Sequence, residues 1–315
     1  MSIGVIGAGR WGQNHIRTLS NLGKLGYVCS DDLSQAKEVA DVFSVPFGTC
    51  YDLLTNDHID GVIISTPAPT HEALIEQCLN AGKHVLVEKP MVLNYERAVD
   101  LIGLAERKGL HLMVGHLLCY HPAFKLVQDF IKKGKLGDAL TVHCTRVGNG
   151  VIRTVEDVFW DLAVHDIAIL NVLFRQPIII EDVKVFKRQM DGGYDQGHIF
   201  LRMGSKIKAH INVSWAYPIK RHECVIQGTK GALVFDESRG HEEKLSWIPM
   251  VGGPIPYDSD NIDYLPVENQ MPLTNEISHF IDCIASGEKP LTLARTELPV
   301  LKALCDIQDR VSIKA

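Results

Sequence analysis

A glutamate and a lysine stand side by side where an apolar run of the chain ends. Residues 85–87 resemble the end of a buried strand, and Glu88, Lys89 and Pro90 follow directly. Pro90 favours an extended backbone at Lys89 and stops the strand from continuing. If the strand is parallel to its neighbours, the lysine lies where open α/β sheets bind their ligands. Without further evidence, a surface ion pair explains the same residues.

A second candidate pair, Asp161 and His165, is spaced i,i+4 in "VEDVFWDLAVHDIAILNVLF", which reads as an amphipathic helix. A carboxylate beside a histidine can fix its tautomer and stabilise its protonated form, which suits a general base. The pair could also be structural, or it could bind a metal if His116 or His121 supplied a third ligand. Their spacing matches no known metal site, so no metal is expected. Asp166 is expected to be structural.

The first residues carry a glycine pattern of the kind that binds dinucleotides. Gly7, Gly9 and Gly12 form G-x-G-x-x-G directly after an apolar run at residues 3–6 and before a helical segment. The first glycine permits a tight turn, the second lets a pyrophosphate approach the backbone, and the third lets helix and strand pack closely. The free N–H groups of the helix would face the phosphates. An ordinary glycine-rich turn is the alternative.

Strand-like and helix-like segments then alternate, which predicts a parallel sheet with helices on both faces. The further strands are predicted at residues 24–30, 61–67, 83–90 and 110–116, and the helices at 33–43, 71–82 and 95–109.

The end of the second predicted strand bears on the choice between NAD and NADP. An acid at this position binds the adenosine ribose of NAD, whereas a basic residue favours NADP. Ser30 occupies the position, Asp31 and Asp32 follow, and the next basic residue is Lys37. Two carboxylates would repel a 2′-phosphate, so NAD is expected. The same acids could equally serve the N-terminus of the next helix.

Several motifs in order resemble the glucose–fructose oxidoreductase/inositol dehydrogenase/MocA family. They are the glycine turn, "STP" followed by His71, "AGKHVLVEKP", "VGHLLCYHPAFKLVQDFIKKGKLGDAL", "FWDLAVHDIAIL" and "NEISHFIDCIASGEKPLT". The resemblance implies an α/β chain with a Rossmann domain at 1–120 and an α+β domain at 121–315. The second domain would have an open mixed, mainly antiparallel sheet that commonly makes subunit contacts. The C-terminal helix is expected to pack back on the first domain.

Beyond residue 135, runs that alternate apolar and polar residues independently favour such a sheet. They are predicted as strands at 139–147, 178–190, 198–203, 207–217, 223–229 and 231–237.

The resemblance also implies the roles of particular residues. Lys89 would hydrogen-bond the reacting hydroxyl, and Glu88 would orient the lysine or reach the ribose. Asp161 and His165 would match a D-x-x-x-H pair facing Lys89, with His165 as base and Asp161 as orienter or second substrate contact. The predicted cofactor-binding residues are Gly7, Gly9, Arg10, Trp11, Gly12, Ser30, Asp31, Thr66, Pro67, His71, Glu88 and Lys89. The predicted substrate-binding residues are Lys89, His116, Tyr120, Arg146, Asn149, Arg153, Asp161 and His165.

Four segments resemble a particular group in the family, namely "GRWGQNHIRTL", "GHLLCYHPAF", "TRVGNGVIRTVEDVFWDLAVHDI" and "NEISHFIDCI". This group consists of enzymes that oxidise UDP-N-acetylhexosamines in surface polysaccharide and lipid A precursor pathways. This implies NAD-dependent oxidation of the sugar C3 hydroxyl, with a downstream aminotransferase as a possible partner. Arg146 and Arg153 could bind the diphosphate, or they could pair with acids such as Glu156. A cyclitol or free-sugar dehydrogenase and a non-catalytic dinucleotide sensor are the alternatives. Such sensors tend to lose the lysine or the histidine, and this chain has both.

Composition limits the partners and the location. The formal net charge of -6 gives no support for nucleic-acid binding. No apolar run of 18 residues occurs, so no membrane span is expected. The eight cysteines form no C-x-x-C pair, and the first residues lack a signal-peptide pattern. We therefore expect a cytoplasmic protein. The subunit contacts that the family resemblance implies predict a homodimer or homotetramer.

Overall fold

The structure is a computed structural model that describes residues 1–150, 156–186, 193–250 and 262–314. Contacts between residues divide the chain into two compact units. The first consists of Met1–Tyr120 and Met271–Leu298, and the second of residues 121–270 and 299–315 as far as they are described.

The first unit contains a six-stranded sheet in which every pair of neighbouring strands is parallel. Its strand order is β3-β2-β1-β4-β5-β6, so the order reverses between β1 and β4. In doubly wound sheets this reversal opens a crevice at the carboxyl ends of the strands, where ligands bind. The strands are β1 (Ile3–Ile6), β2 (Leu25–Cys29), β3 (Phe47–Gly48), β4 (Gly61–Ile64), β5 (His84–Glu88) and β6 (Leu112–Gly115).

Some helices of the first unit begin where polar side chains satisfy their free N–H groups. Asp32 accepts from the backbone N–H groups of Ser34 and Gln35, and Asn94 accepts from that of Arg97. Such caps are each worth about 1 kcal/mol. The helices are α1 (Arg10–Asn21), α2 (Leu33–Phe43), α3 (Cys50–Leu54), α4 (His71–Asn80) and α5 (Tyr95–Lys108). The alternating pattern is confirmed, although β3 and α3 were not predicted.

The second unit contains an eight-stranded sheet in the order β14-β13-β12-β11-β7-β10-β9-β8. Strands β7 and β10 are parallel, and all other neighbours are antiparallel, which confirms the mixed, mainly antiparallel sheet. The strands are β7 (Ala139–Asn149), β8 (Ile178–Phe186), β9 (Gln196–Met203), β10 (Ile207–Ser214), β11 (Ala216–Gly228), β12 (Gly231–Asp236), β13 (Leu245–Pro249) and β14 (Asp263–Tyr264). The predicted strand at 207–217 is in fact two, because the chain leaves β10 at Trp215.

In this unit helix α6 (Pro122–Lys132) precedes β7, and helix α7 (Val164–Phe174) connects β7 to β8. The prediction of an amphipathic helix around α7 is wrong, because its buried residues occur on every side of the helix. A π-helical turn, Phe159–Ala163, precedes α7. Phe159 packs so closely on Gly197 that a Cβ atom there would lie 2.2 Å from its ring. π-Helical turns inside helices occur often at functional sites.

The C-terminal helices divide differently from the predicted domains. Helix α8 (Pro272–Ser286) packs against α1 and so belongs to the first unit. Helix α9 (Ala294–Lys314) begins in the first unit, but from Pro299 onward it groups with the second. Within the second unit Arg310 donates to the carbonyl oxygens of Ile180 and Glu181. The packing of the C-terminal helix on the first domain stays a prediction. No described helix has the length and apolar character that a membrane span requires.

Candidate active site

The turn between β1 and α1 has the geometry of a phosphate cradle. Gly7 has a φ of 103°, a value that strongly favours glycine. A Cβ atom on Gly12 would lie 1.9 Å from the carbonyl oxygen of Gly7, so the close approach of α1 requires glycine. At Gly9, in contrast, a Cβ atom would meet nothing within 4 Å.

Helix α1 leaves its N-terminus available to a ligand. Because Gly9 is its N-cap residue, no side chain caps the free N–H groups, and the first turn contains no acid. Arg10 and Trp11, which open the helix, are exposed. Free N–H groups with open space in front of them suit an anion, so the turn fits a dinucleotide pyrophosphate.

His71 connects the loops that follow β4 and β5. Its Nε2 lies 2.8 Å from the carbonyl oxygen of Thr66, and its Nδ1 lies 2.9 Å from that of Pro90. The ring is buried, and both nitrogens face backbone carbonyls. These contacts favour a bracing role for His71 over the predicted contact with the cofactor. Thr66 and the exposed Pro67 lie at the carboxyl end of β4, as predicted.

The residues after β2 have distinct surroundings. Ser30 directly follows the last residue of the strand, and its hydroxyl lies 3.3 Å from the side-chain oxygen of Gln35. Asp31 is exposed. The Asp32 carboxylate caps α2, as the alternative interpretation of the two acids required. Ser30 and Asp31 are thus the residues here that a ribose could contact.

Glu88 is held by two side chains of α1. Its Oε1 accepts hydrogen bonds from Trp11 Nε1 and from His15 Nε2, the latter at 2.7 Å. Its Oε2 lies 3.3 Å from the backbone N of Lys89. Burial raises the pKa of the Glu88 carboxyl, but the hydrogen bond and charge of His15, the bond from Trp11 and the charge of Lys89 outweigh burial and lower it. Glu88 is therefore ionised at neutral pH.

This bonding explains where Lys89 lies. It is the first residue after β5, at the carboxyl edge of the parallel sheet, and the bond between Lys89 and Pro90 is cis. Glu88 fixes the strand end through α1, the helix whose N-terminus forms the phosphate cradle. The sequence interpretation missed His15. Its position four residues after Trp11 puts both side chains on one face of α1, which is the signal that could have found it.

His116 and Tyr120 have their polar groups buried inside the first unit. Nε2 of His116 lies 3.5 Å from Oε2 of Glu297, and burial lowers the His116 pKa to about 4. The Tyr120 hydroxyl lies 2.9 Å from that of Thr292, which itself donates to the carbonyl oxygen of Val114. These contacts favour structural roles over the predicted contacts with substrate.

In the second unit, Asp161 lies in the π-helical turn and His165 in the first turn of α7. The Asp161 carboxylate is buried, and its Oδ2 accepts a hydrogen bond of 3.0 Å from Trp215 Nε1. His165 is half-buried. Asn149 is exposed at the end of β7. His121, the other histidine weighed as a metal ligand, caps α6 by accepting from the Ala123 N–H.

Arg146 forms a buried bidentate ion pair with Asp166, with N···O distances of 3.2 and 2.9 Å. Oε2 of Glu237 lies 3.8 Å from Nη1 of Arg146. The hydrogen bond from His222, followed by the charges of Arg146 and His222, outweighs burial and lowers the Glu237 pKa to about 2. This network favours a structural role for Arg146 over the predicted contact with a diphosphate. Arg153 lies outside the described residues.

Comparisons with known proteins match both parts of the chain. The model of an oxidoreductase family with an NAD-binding Rossmann fold matches residues 1–116, and that of the GFO/IDH/MocA C-terminal domain matches residues 124–234. The curated UDP-N-acetylglucosamine 3-dehydrogenase of Acidithiobacillus ferrooxidans is 32% identical over 187 residues, which are 59% of this chain and 58% of that protein. Inositol 2-dehydrogenase 2 of Saccharopolyspora erythraea is 31% identical over 191 residues, 57% of this chain and 55% of that protein.

The chain thus aligns with little more than half of each of these relatives. A solved structure of the Acidithiobacillus enzyme superimposes with a TM-score of 0.86 over 98% of this chain and 97% of that one. At 24% identity this likeness concerns the fold alone.

The geometry of the glycine turn predicts that Gly9→Ala weakens dinucleotide binding and leaves the protein folded. The added methyl group meets no protein atom, but alanine is a poorer N-cap than glycine, so the free energy of unfolding should fall by no more than about 1 kcal/mol. The same methyl group would stand where a pyrophosphate approaches, so the Kd for NAD should rise about tenfold or more, a cost of about 1.4 kcal/mol.

Calorimetric titration and urea unfolding measure the two effects. Gly240→Ala is the matched control, because a Cβ atom there also meets nothing, and it should leave both values unchanged. Unaltered NAD affinity in the Gly9 variant would contradict the assignment of the cradle.

Proposed function

The chain belongs to the GFO/IDH/MocA family of oxidoreductases. We propose that it is an NAD-dependent dehydrogenase that oxidises a sugar hydroxyl. The substrate we propose is UDP-N-acetylglucosamine, whose C3 hydroxyl would become a 3-oxo group. The observation that carries the proposal is the bonding of Glu88 to α1. Through it, the helix suited to hold the cofactor phosphates also fixes the backbone next to Lys89.

Residues of the first unit would hold the cofactor. The N–H groups at Gly9 and the start of α1 would bind the pyrophosphate, and Ser30 with Asp31 would face the adenosine ribose. When bound, NAD accepts a hydride from the carbon that is oxidised. The negative charge of Asp31 would oppose the 2′-phosphate of NADP, which supports the choice of NAD.

Lys89 would donate a hydrogen bond to the reacting hydroxyl. An ammonium group stabilises negative charge that develops on oxygen as the proton leaves. Glu88 keeps the lysine in place through the backbone, since its carboxylate is bonded to Trp11 and His15.

His165 would take the hydroxyl proton as general base. Removal of a proton by a positioned base typically raises the rate by about 10²–10⁴-fold. Asp161 is fixed by Trp215 in the preceding π-helical turn, so its carboxylate is already oriented before substrate binds. It would orient the base or make a second contact with the sugar.

The substrate class is supported by the relative that oxidises UDP-N-acetylglucosamine. The product, a 3-oxo sugar nucleotide, would suit an aminotransferase that acts next. Cyclitol oxidation is the second candidate, and two observations favour it. An inositol dehydrogenase is almost as similar to the chain, and Arg146 is committed to Asp166 and not to a diphosphate. A non-catalytic dinucleotide sensor is disfavoured, because Lys89, Asp161 and His165 are all retained. Cytoplasmic location and a homodimer or homotetramer remain predictions.

We expect His165→Asn to lower kcat by about 10²–10⁴-fold, because it removes the base, and to leave the Kd for NAD nearly unchanged. Lys89→Met should lower kcat comparably. His143→Asn is the matched control, since His143 is an exposed histidine of β7, and it should retain full turnover. Stopped-flow NADH formation across the neutral range gives the measurement. A His165 variant with normal turnover would remove that residue from the mechanism.

The substrate proposal predicts NADH formation from UDP-N-acetylglucosamine and none from free N-acetylglucosamine or myo-inositol. Binding energy from the remote diphosphate can position the reacting carbon, so truncated sugars should lose kcat as well as affinity. The assay should contain a 3-oxo-sugar aminotransferase and glutamate to remove the product. Rates with NAD should exceed those with NADP. Oxidation of myo-inositol alone would instead establish the cyclitol function.

A further inference from the structure

A glutamate in α8 is buried without a hydrogen-bond partner. Glu276 has no exposed surface, and neither of its carboxyl oxygens has a partner among the described residues. The sequence interpretation gave it no role, and the proposed mechanism does not use it. A buried carboxylate without a partner is far costlier than a neutral carboxylic acid, so such a group keeps its proton.

Glu276 lies close to the site through the elements that pack on α8. Helix α8 packs against α1 and against the turn at residues 117–120. Several titratable groups of neighbouring elements face this interior. Helix α1 contributes His15, strand β5 contributes Glu88, and the turn contributes Cys119 and Tyr120. His116 lies beside Glu88, and His279 lies on the same helix as Glu276.

Glu88 is the group among these that acts on Glu276 directly. Burial, and then the negative charge of Glu88, raises the pKa of Glu276 well above its ordinary value. The two carboxyl groups therefore differ in their charge. Glu88 has the donors that stabilise an anion, namely Trp11 and His15, whereas Glu276 has none. Of these two nearby acids, Glu276 thus holds the proton and Glu88 holds the negative charge.

We propose that Glu276 is a positioning residue that holds this proton, so that a single negative charge remains on Glu88 and keeps the backbone at Lys89 in place. If Glu276 loses the proton, a second anion stands near Glu88 in the interior. Repulsion then competes with the hydrogen bonds from Trp11 and His15, and Lys89 loses its fixed position. The consequence for turnover rests on the proposed function, in which Lys89 contacts the substrate.

The proposal predicts how the stability of the fold depends on pH. Above about pH 4.3 an unfolded chain releases the Glu276 proton, whereas the folded chain keeps it up to the raised pKa. The folded state then binds more protons than the unfolded state, so stability falls as pH rises through this window. The Glu276→Gln variant has no proton to release, so this part of the pH dependence should disappear.

Urea unfolding of wild type and Glu276→Gln at a series of pH values tests this without any substrate. From about pH 5 up to the raised pKa of Glu276, the unfolding constant of wild type should rise relative to that of the variant by about tenfold per pH unit, the slope of one whole proton. Asp282→Asn, an exposed acid of the same helix, is the matched control and should run parallel to wild type. Parallel curves for Glu276→Gln and wild type would overturn the proposal.

The pH profile of kcat distinguishes positioning from mere structure. It is measured up to about pH 10 with the alcohol that the wild-type protein oxidises. In wild type, kcat should fall at alkaline pH as Glu276 loses its proton. In Glu276→Gln this fall in kcat should begin at a higher pH. An unmoved alkaline limb together with a lost stability slope would show a buried acid that does not position Lys89. Because the unfolding experiment needs no substrate, its failure is distinguishable from failure of the proposed function.

Discussion

The organisation of the first unit depends on the hydrogen bonds that hold the Glu88 carboxylate at the carboxyl edge of the parallel sheet. Hydrogen bonds from Trp11 and His15 reach the same oxygen from one face of α1. A hydrogen bond to a charged group contributes about 1.5–3 kcal/mol. Two such bonds outweigh the cost of burial, keep Glu88 ionised and tie the strand that leads to Lys89 to the helix that faces the phosphates.

That arrangement constrains the neighbouring backbone. The face of α1 reaches Glu88 only because the helix approaches β1 closely, and Gly12 permits this where any side chain would strike the carbonyl of Gly7. Burial, and after it the negative charge of Glu88, raises the pKa of Glu276, in keeping with the proposal that this acid retains its proton. The close packing of α1 at Gly12, the hydrogen bonds from Trp11 and His15 to Glu88, and the buried Glu276 thus depend on one another.

The sequence predicted those features that repeat along the chain or are formed by neighbouring residues. The turn at Gly7, the parallel strands and the position of Lys89 after β5 follow from local patterns. The π-helical turn at Phe159–Ala163 was not predictable in this way, because the helix that follows is buried on every side and has no apolar stripe that an extra residue would shift. An ion pair of Arg146 was one of the two alternatives, but its partner Asp166 in α7 was not predicted, and neither was the burial of Glu276 near Glu88. These groups come from different elements, and contacts over such sequence separations leave no periodic signal.

A double-mutant cycle of urea unfolding free energies tests whether His15 holds the Glu88 carboxylate. The cycle combines His15→Phe, which keeps a ring but removes the donor, with Glu88→Gln, which removes the charge. At neutral pH the account predicts a coupling energy of about 1.5–3 kcal/mol, the range for a hydrogen bond to a charged group. Effects that add to within about 0.5 kcal/mol would show that the two side chains do not interact and would contradict it.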